Sequence, residues 1–335
     1  MKISASLYSN KQTALEDLVR ELDAHKVDYF HIDCNDDPRV FDDIARIRRI
    51  SRTPIDLHII SPRPERFFDD IARHAVEYVF FQYEPAPDMP PPPALEGTSY
   101  GLAIVSDTPV EAYAAAEAWS ERLLFMTTTP GQSGGVFRKD NFQRIRRFRE
   151  LFPGVKVHVD GGVNHEVSFI LRSMGVNAVV SGSFLVNNPS IGAAMLDLRA
   201  NEVESRYLVR DFMIERRELP VLPLGQATFA QVLRAIEDFR MGLVFFERPD
   251  GLFAGLASNA DVRRGLLRNL HDLNATRPEH VLNPAPVSID QDSTIEQMLR
   301  LVKSKTFPIN FLPVTTADGR LAGALIFNQL IRGES

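Results

Sequence analysis

The sequence predicts an α/β protein: a (β/α)8 TIM barrel followed by an α+β tandem pair of small modules. Three observations carry this reading. Eight short apolar runs alternate with helix-periodic segments up to about residue 205; the pattern changes near Arg206; and two similar stretches follow. Alternating strand and helix signals read as parallel βα units. Eight of them in about 200 residues point to a closed barrel rather than an open sheet.

The strand-like runs are Ile3–Leu7, Val27–Asp33, Ile55–Ile60, Tyr78–Tyr83, Tyr100–Val105, Arg122–Met126, Val155–Asp160 and Ala178–Ser181. Helical patterns separate most of them, with one irregular unit. The stretch Pro85 to Pro93, including four consecutive prolines from Pro90, stands where a fourth helix is expected. Proline lacks the amide hydrogen and favours extended backbone, so this segment reads as a surface loop or a docking edge. The eighth helix is expected to continue into a linker near Leu198–Arg206, which divides the chain into domains 1–205 and 206–335. Within the second, the stretches of about 207–270 and 275–332 each combine an amphipathic helix, two short apolar strands and a last helix. Asp250-Gly251 and Asp318-Gly319 are hairpin-turn signals at matching places,. Their spacing, about 65 to 70 residues, indicates an internal duplication.

The chain has 335 residues, of which 44% are hydrophobic and 24% charged, ordinary values for a globular protein with sizeable cores,. A net charge of -6 argues against broad nucleic-acid binding, and the basic clusters Arg46–Arg52 and Arg144–Arg149 read as solvated helix faces,. The single cysteine, Cys34, excludes an intrachain disulfide and a cysteine-based zinc site,. The N-terminus reads as a β-like run rather than a signal peptide, and no apolar stretch is long enough to span a bilayer,. The expected compartment is the cytoplasm.

TIM-barrel chemistry sits at the C-terminal ends of the strands. Strand two ends in His31-Ile32-Asp33, strand three in Asp56-Leu57-His58 and strand seven in His158-Val159-Asp160. Residues i and i+2 of a strand share a side, so His31 and Asp33 face the same way. If that side is inward, His31, Asp33, His58 and Asp160 converge above the barrel core. Two imidazoles and two carboxylates suit zinc first, with manganese, iron or cobalt as alternatives. Separately satisfied polar residues at strand ends are the competing reading. Three glycine groups follow strands six, seven and eight: Gly131, Gly134 and Gly135; Gly161 and Gly162; and Gly182 with Ser183. They can present backbone amides to a phosphate, or simply serve tight turns.

The ordered motifs His31-x-Asp33-x-x-Asp36, Asp56-Leu57-His58, Met126 to Gly135 and Val159-Asp160-Gly161-Gly162-Val163 resemble those of ribulose-phosphate 3-epimerases across residues 1 to about 200. The resemblance implies four metal ligands, His31, Asp33, His58 and Asp160, with Asp33 and Asp160 also as the acid/base pair. Ser6 and Met126 match substrate-contacting positions. Some positions depart from the family pattern: Asn35 and Ile60 replace methionines, Asp37 a glycine, Gln82 a histidine, and Val105 and Ser106 an asparagine and a proline.

The C-terminal stretches resemble a tandem pair of CBS domains, carried by Gly255 to Arg264 in the first and by Leu312-Pro313-Val314 and Gly323 to Ile326 in the second. That resemblance implies an adenine nucleotide at Ser258 and Asp261, or a dimerising role alone. Ile326 and Gln329 stand at the matching places in the second repeat, so at most one nucleotide site is expected. The leading expectation is a metal-dependent 3-epimerase of a ketose phosphate, assembled as a homo-oligomer and regulated or dimerised through the pair. The alternatives are an epimerase of another sugar phosphate (a ketohexose 6-phosphate or a surface-polysaccharide precursor) and a non-catalytic nucleotide-sensing protein.

Overall fold

A computed structural model describes residues 1–128, 134–200, 203–272, 275–307 and 309–327. The chain forms two compact units, with Met1–Val203 in one and Glu204–Asn328 in the other.

The first unit is a closed barrel. Its strands are β1 (Lys2–Ser6), β2 (Tyr29–Cys34), β3 (Ile55–Ile59), β4 (Tyr78–Gln82), β5 (Ser99–Val105), β6 (Arg122–Met126), β7 (Lys156–Asp160) and β8 (Ala178–Ser181). All neighbours pair in parallel, and β1 closes the ring against β8. Each strand lies on one of the eight predicted runs.

The alternation within strands sorts the barrel. Phe80, Ala103, Leu124, Met126 and Val180 form one buried cluster. They come from β4, β5, β6 and β8, so they meet inside the ring. Their neighbours of opposite parity, Val79, Phe81, Leu102, Leu123, Phe125 and Val179, are buried too, as expected for a sheet apolar on both faces. Gly101 makes room in the interior, since a Cβ there would strike the Phe80 ring. Towards the N-terminal end of β6, the buried Arg122 guanidinium lies 4.5 Å over the Tyr78 ring, and its Nε donates to Ser99 Oγ at 2.9 Å.

Two connections are irregular rather than one. Residues 83–98 contain no helix, as the prolines predict; Pro92 is buried, and Tyr100 Oη donates to Pro93 O at 2.9 Å. The connection after β5 holds only a 3-10 turn, Val110–Ala115, which Tyr113 pins by donating to Ser120 O at 2.5 Å. The last barrel helix, Ile191–Arg199, does not continue into the linker as expected. Ala200 is extended (φ -62°, ψ 143°), and Arg172 holds the Arg199 carbonyl at 2.7 Å.

The second unit contains β9 (Ile214–Glu215), β10 (Val221–Pro223), β11 (Leu243–Glu247), β12 (Phe253–Ser258), β13 (Ile289–Asp290), β14 (Phe311–Thr315) and β15 (Leu321–Ile326). They make a sheet of order β10-β11-β12 and a second of order β13-β14-β15-β9. The duplication is visible in detail. Strands β14 and β15 begin 68 residues after β11 and β12 (311 against 243, 321 against 253). The ladder shifts register at Phe246/Glu247 and again at Val314/Thr315. Helices Phe229–Phe239 and Ile295–Lys303 open with matching capping boxes, Thr228 with Gln231 and Thr294 with Gln297,.

The spatial modules nevertheless do not follow the sequence repeats. Ile214 and Glu215, at the start of the first repeat, pair with Ala324 and Gly323 of the second. Reciprocally, Asn283 of the second repeat pairs with Leu256 of the first. Each crossing relies on a glycine: a Cβ at Gly255 would meet Asn283 O, and one at Gly323 would meet Ile214 O. The stretch of about 207–270 is thus a repeat in sequence whose leading arm packs on the other module. Leu219, Leu243, Phe245, Leu256, Leu321 and Ala324 form a buried cluster drawn from both modules. No helix among the described residues is long and apolar enough to cross a membrane.

Candidate active site

Parallel register places the predicted residues side by side at the C-terminal end of the barrel. Ser6 pairs with His31, His31 with Asp56, Asp33 with His58, and Met126 with Asp160. The shared parity turns these side chains inward, and donor atoms of His31, Asp33, His58 and Asp160 all lie within 4.8 Å of one another. His31 Nε2 is 3.3 Å from Asp33 Oδ1 and 3.6 Å from Asp160 Oδ2, while His58 Nδ1 is 3.2 Å from Asp33 Oδ1. Both imidazoles are fully buried, whereas the carboxylates keep 14% and 17% of their side-chain surface exposed. Only the two acids therefore reach toward a molecule entering from above.

Those separations suit a metal. A tetrahedral site with bonds of about 2.1 Å has donors roughly 3.4 Å apart, and nitrogen plus carboxylate donors are a set that divalent ions accept. The surroundings agree. His31 Nδ1 lies 3.2 Å from Asp56 Oδ2, near enough to pair electrostatically though not aligned as a hydrogen bond. Ser4 Oγ donates to that same oxygen at 2.9 Å. A carboxylate behind a ligating imidazole orients the ring and raises its basicity. Asp33, Asp56 and Asp160 crowd two imidazoles in a buried place, which leaves room for a cation's charge.

The two acids titrate in opposite directions. Burial pushes Asp160 up to about 6, and the charge of Asp33 adds to this while His31 opposes it. Burial acts on Asp33 as well, but the His31 and His58 rings outweigh it and hold the carboxyl far below its usual range. Burial would depress His31, yet Asp56 and Asp33 raise it well above the ordinary imidazole value. Asp56, although buried, is held low by His31.

Around this centre, Met126 is buried beside Asp160, and Ser6 Oγ lies 3.0 Å from Ser9 Oγ. Gly161 and Gly162 have φ of 112° and 63°, conformations that favour glycine,. Packing also demands these residues. A Cβ at Gly161 would meet Thr128, one at Gly162 the Phe137 amide nitrogen, one at Gly135 again Thr128, and one at Gly182 the Ser9 hydroxyl. The loops after β6 and β7 are thus pressed together. Gly134 has φ of 88° and open space, and Ser183 begins the short helix Ser183–Val186. Gly131 lies outside the described residues.

Asp56 and Gln82 were not assigned roles from the sequence. Both share the inward parity, and Asp56 sits two positions before His58, so the signal was present. Gln82 Oε1 is 2.7 Å from His58 Nε2.

In the second unit, Ser258 caps helix Asn259–Arg268. Its amide and hydroxyl both donate to Asp261 Oδ2 (2.9 and 2.5 Å), while Arg264 donates to Oδ1. Ile326 ends β15, and Gln329 lies outside the described residues.

A closed parallel barrel with an acid pair and two imidazoles at its C-terminal mouth defines a TIM-barrel protein with a candidate centre for metal-assisted acid/base chemistry. The sequence profile of the ribulose-phosphate 3 epimerase family matches residues 2–186, and the chain belongs to that family. Similar curated proteins include the ribulose-phosphate 3-epimerases of Candida glabrata (26% identical over 165 residues, 47% of this chain and 66% of that one) and Bacillus subtilis (23% over 219 residues, 60% and 100%). That of Methanocaldococcus jannaschii is 24% identical over 229 residues, 64% of this chain and 95% of its own. Among solved structures, the C-terminal part is similar to CBS-pair proteins. CBSX2 in complex with AMP is 22% identical and covers 38% of this chain and 96% of its own, with a TM-score of 0.33. CBSX2 from Arabidopsis thaliana is 21% identical over 39% and 95%, with a TM-score of 0.32.

Proposed function

We propose that the chain inverts carbon 3 of a ketose phosphate, interconverting ribulose 5-phosphate and xylulose 5-phosphate, with Asp33 and Asp160 as the proton carriers. The observation that supports this most is the pair of partly exposed carboxylates that two non-adjacent strands, β2 and β7, bring to one mouth. Inverting a carbon beside a carbonyl requires a base on one face and an acid on the opposite face. In one direction Asp33 takes the C3 proton, giving the enediolate, and Asp160 delivers a proton from the other side. The reverse direction exchanges these roles.

Each supporting side chain has a task in this reading. His31, Asp33, His58 and Asp160 would hold a divalent ion, zinc first, which would polarise the carbonyl and stabilise the charge that develops. Buried Met126 offers an apolar wall, and Ser6 a hydroxyl at the rim. Backbone amides near Gly134, Gly135, Gly161, Gly162, Gly182 and Ser183 would receive the phosphate, in keeping with where this barrel class binds it. The C-terminal modules, similar to CBS pairs, would assemble the chain as a homo-oligomer and take an adenine nucleotide at Ser258 and Asp261.

The experiment is a product assay on zinc-loaded protein with ribulose 5-phosphate and, in parallel, ketohexose 6-phosphates. Xylulose 5-phosphate is the expected product. Turnover of a hexose phosphate alone would keep the chemistry and overturn the pentose assignment. No turnover of either would remove the enzyme reading.

A further inference from the structure

A histidine ligates a metal only through a nitrogen that carries no proton, so something must decide which nitrogen that is. For His58 the deciding groups can be traced outward along hydrogen bonds. Its Nε2 is 2.7 Å from Gln82 Oε1, both side chains being buried. The orientation of the Gln82 amide is fixed by its other end, where Nε2 donates to Glu84 Oε2 and, at 3.3 Å, to Ala103 O. An ionised carboxylate and a carbonyl can only accept, so the amide nitrogen must face them. Its oxygen then faces His58 and must accept, which puts the imidazole proton on Nε2. Nδ1, which lies 3.2 Å from Asp33 Oδ1 among the other candidate ligands, is then the nitrogen left to face a metal.

Glu84 is held in turn. Its Oε1 accepts from the Val105 amide at 2.9 Å and from Thr108 Oγ1 at 2.5 Å. Both carboxylate oxygens thus meet only donors, and an amide in its place would set a donor against a donor on one side. The chain runs from the loop after β5, through Glu84 and Gln82, to the ring of His58.

We infer that Gln82 and Glu84 are positioning residues that commit His58 to its Nε2–H tautomer and thereby set the affinity of the site for a divalent metal. This rests on the metal reading above. It assigns a role to a glutamine at a position where the family pattern has histidine, and to a rim carboxylate that touches neither metal ligand nor substrate.

The test uses the full chain, stripped of metal, with Zn2+ titrated against a chromophoric chelator, and 15N spectra of the histidine rings of the same proteins at pH 8. Gln82→Leu should weaken zinc binding by about 10- to 100-fold, the usual range for such partners. Glu84→Gln, a near-isosteric change at an exposed position, should weaken it less, and Gln82→His should restore most of the loss. The His58 resonance, identified by its absence from His58→Asn, should report Nε2–H in wild type and lose that preference in Gln82→Leu. Wild-type affinity in folded Gln82→Leu would overturn the inference. So would equal weakening by Gln82→Leu and Gln82→His with Glu84→Gln unaffected, because packing alone would then explain the result. If Gln82→Leu does not fold, Glu84→Gln decides, and unchanged zinc affinity there counts against the lock. If wild type takes no zinc, the metal reading falls, and the spectra alone decide: a His58 ring without a proton on Nε2 refutes the lock, whereas Nε2–H supports it.

Discussion

The mouth of the barrel and the start of helix Asn259–Arg268 both gather carboxylates, hydroxyls and cationic groups, yet they use them in opposite ways. At the mouth, Asp33 and Asp160 come from β2 and β7, non-adjacent strands held in place by the whole ring, and their polar capacity converges on a shared centre. At the helix start, Ser258, Asp261 and Arg264 lie within six positions of sequence and satisfy one another. Polar residues brought together by tertiary structure against their own burial cost are candidates for chemistry. Polar residues that complete a local capping box already have a structural task. Asp261 therefore supports the helix first, and any nucleotide must share it.

The sharpest way to break this comparison is substitution at the mouth. Asp33→Asn should reduce solvent deuterium exchange at substrate C3 by about 10²- to 10⁴-fold, the range for loss of a general acid or base. Exchange at the wild-type rate would place the proton carrier elsewhere.

A smaller effect, on metal binding, follows from titration. In the metal-free protein His31 is raised well above its ordinary value and Asp160 lies at about 6. Zinc must displace both protons to use these groups, so affinity should fall as pH falls. Through the neutral range the loss should be at least about tenfold per pH unit, because His31 gives up a proton,. Below about pH 6 it should steepen, because Asp160 is then protonated as well,. Chelator competition across pH measures this, and an affinity flat from pH 5 to 8 would contradict the assignment of these two ligands.

At the helix start the expected change is in stability. Asp261→Ala removes the acceptor of the box and should cost about 0.5 to 2 kcal/mol in thermal or denaturant unfolding. The deuterium exchange rate should stay at the wild-type level. A loss of exchange with no loss of stability would reverse the contrast. Calorimetric titration with AMP should find no more than one site per chain, and two equivalent sites would show that the second repeat also binds.

Much of the barrel was legible because its cause is local. Period-two apolar runs separated by helical patterns give eight strands whose ends need little tertiary information. The 3-10 turn Val110–Ala115 was less legible, since an alanine-rich stretch resembles a helix until Tyr113 ties it to Ser120. The four residues at the mouth could be chosen because strand parity and position at strand ends are both readable. Which residues stand behind them could not be. Whether Asp56 faces His31, or Gln82 faces His58, depends on which strands are neighbours and in what register. The exchanged arms of the C-terminal pair were hidden for a related reason. A repeat in sequence identifies what is copied, but a two-residue strand such as Ile214–Glu215 carries too little pattern to reveal its partner.

The central claim is that two carboxylates on opposite sides of one carbon move its proton. The most direct measurement is proton NMR of ribulose 5-phosphate in deuterated water with zinc-loaded wild type, Asp33→Asn and Asp160→Asn. The account predicts deuterium at C3 together with xylulose 5-phosphate for wild type, no xylulose 5-phosphate for either variant at comparable protein concentration, and no deuterium at C3 for the variant that lacks the base on that proton's face. Full exchange with both variants, or xylulose 5-phosphate formed by wild type without any deuterium at C3, would contradict it.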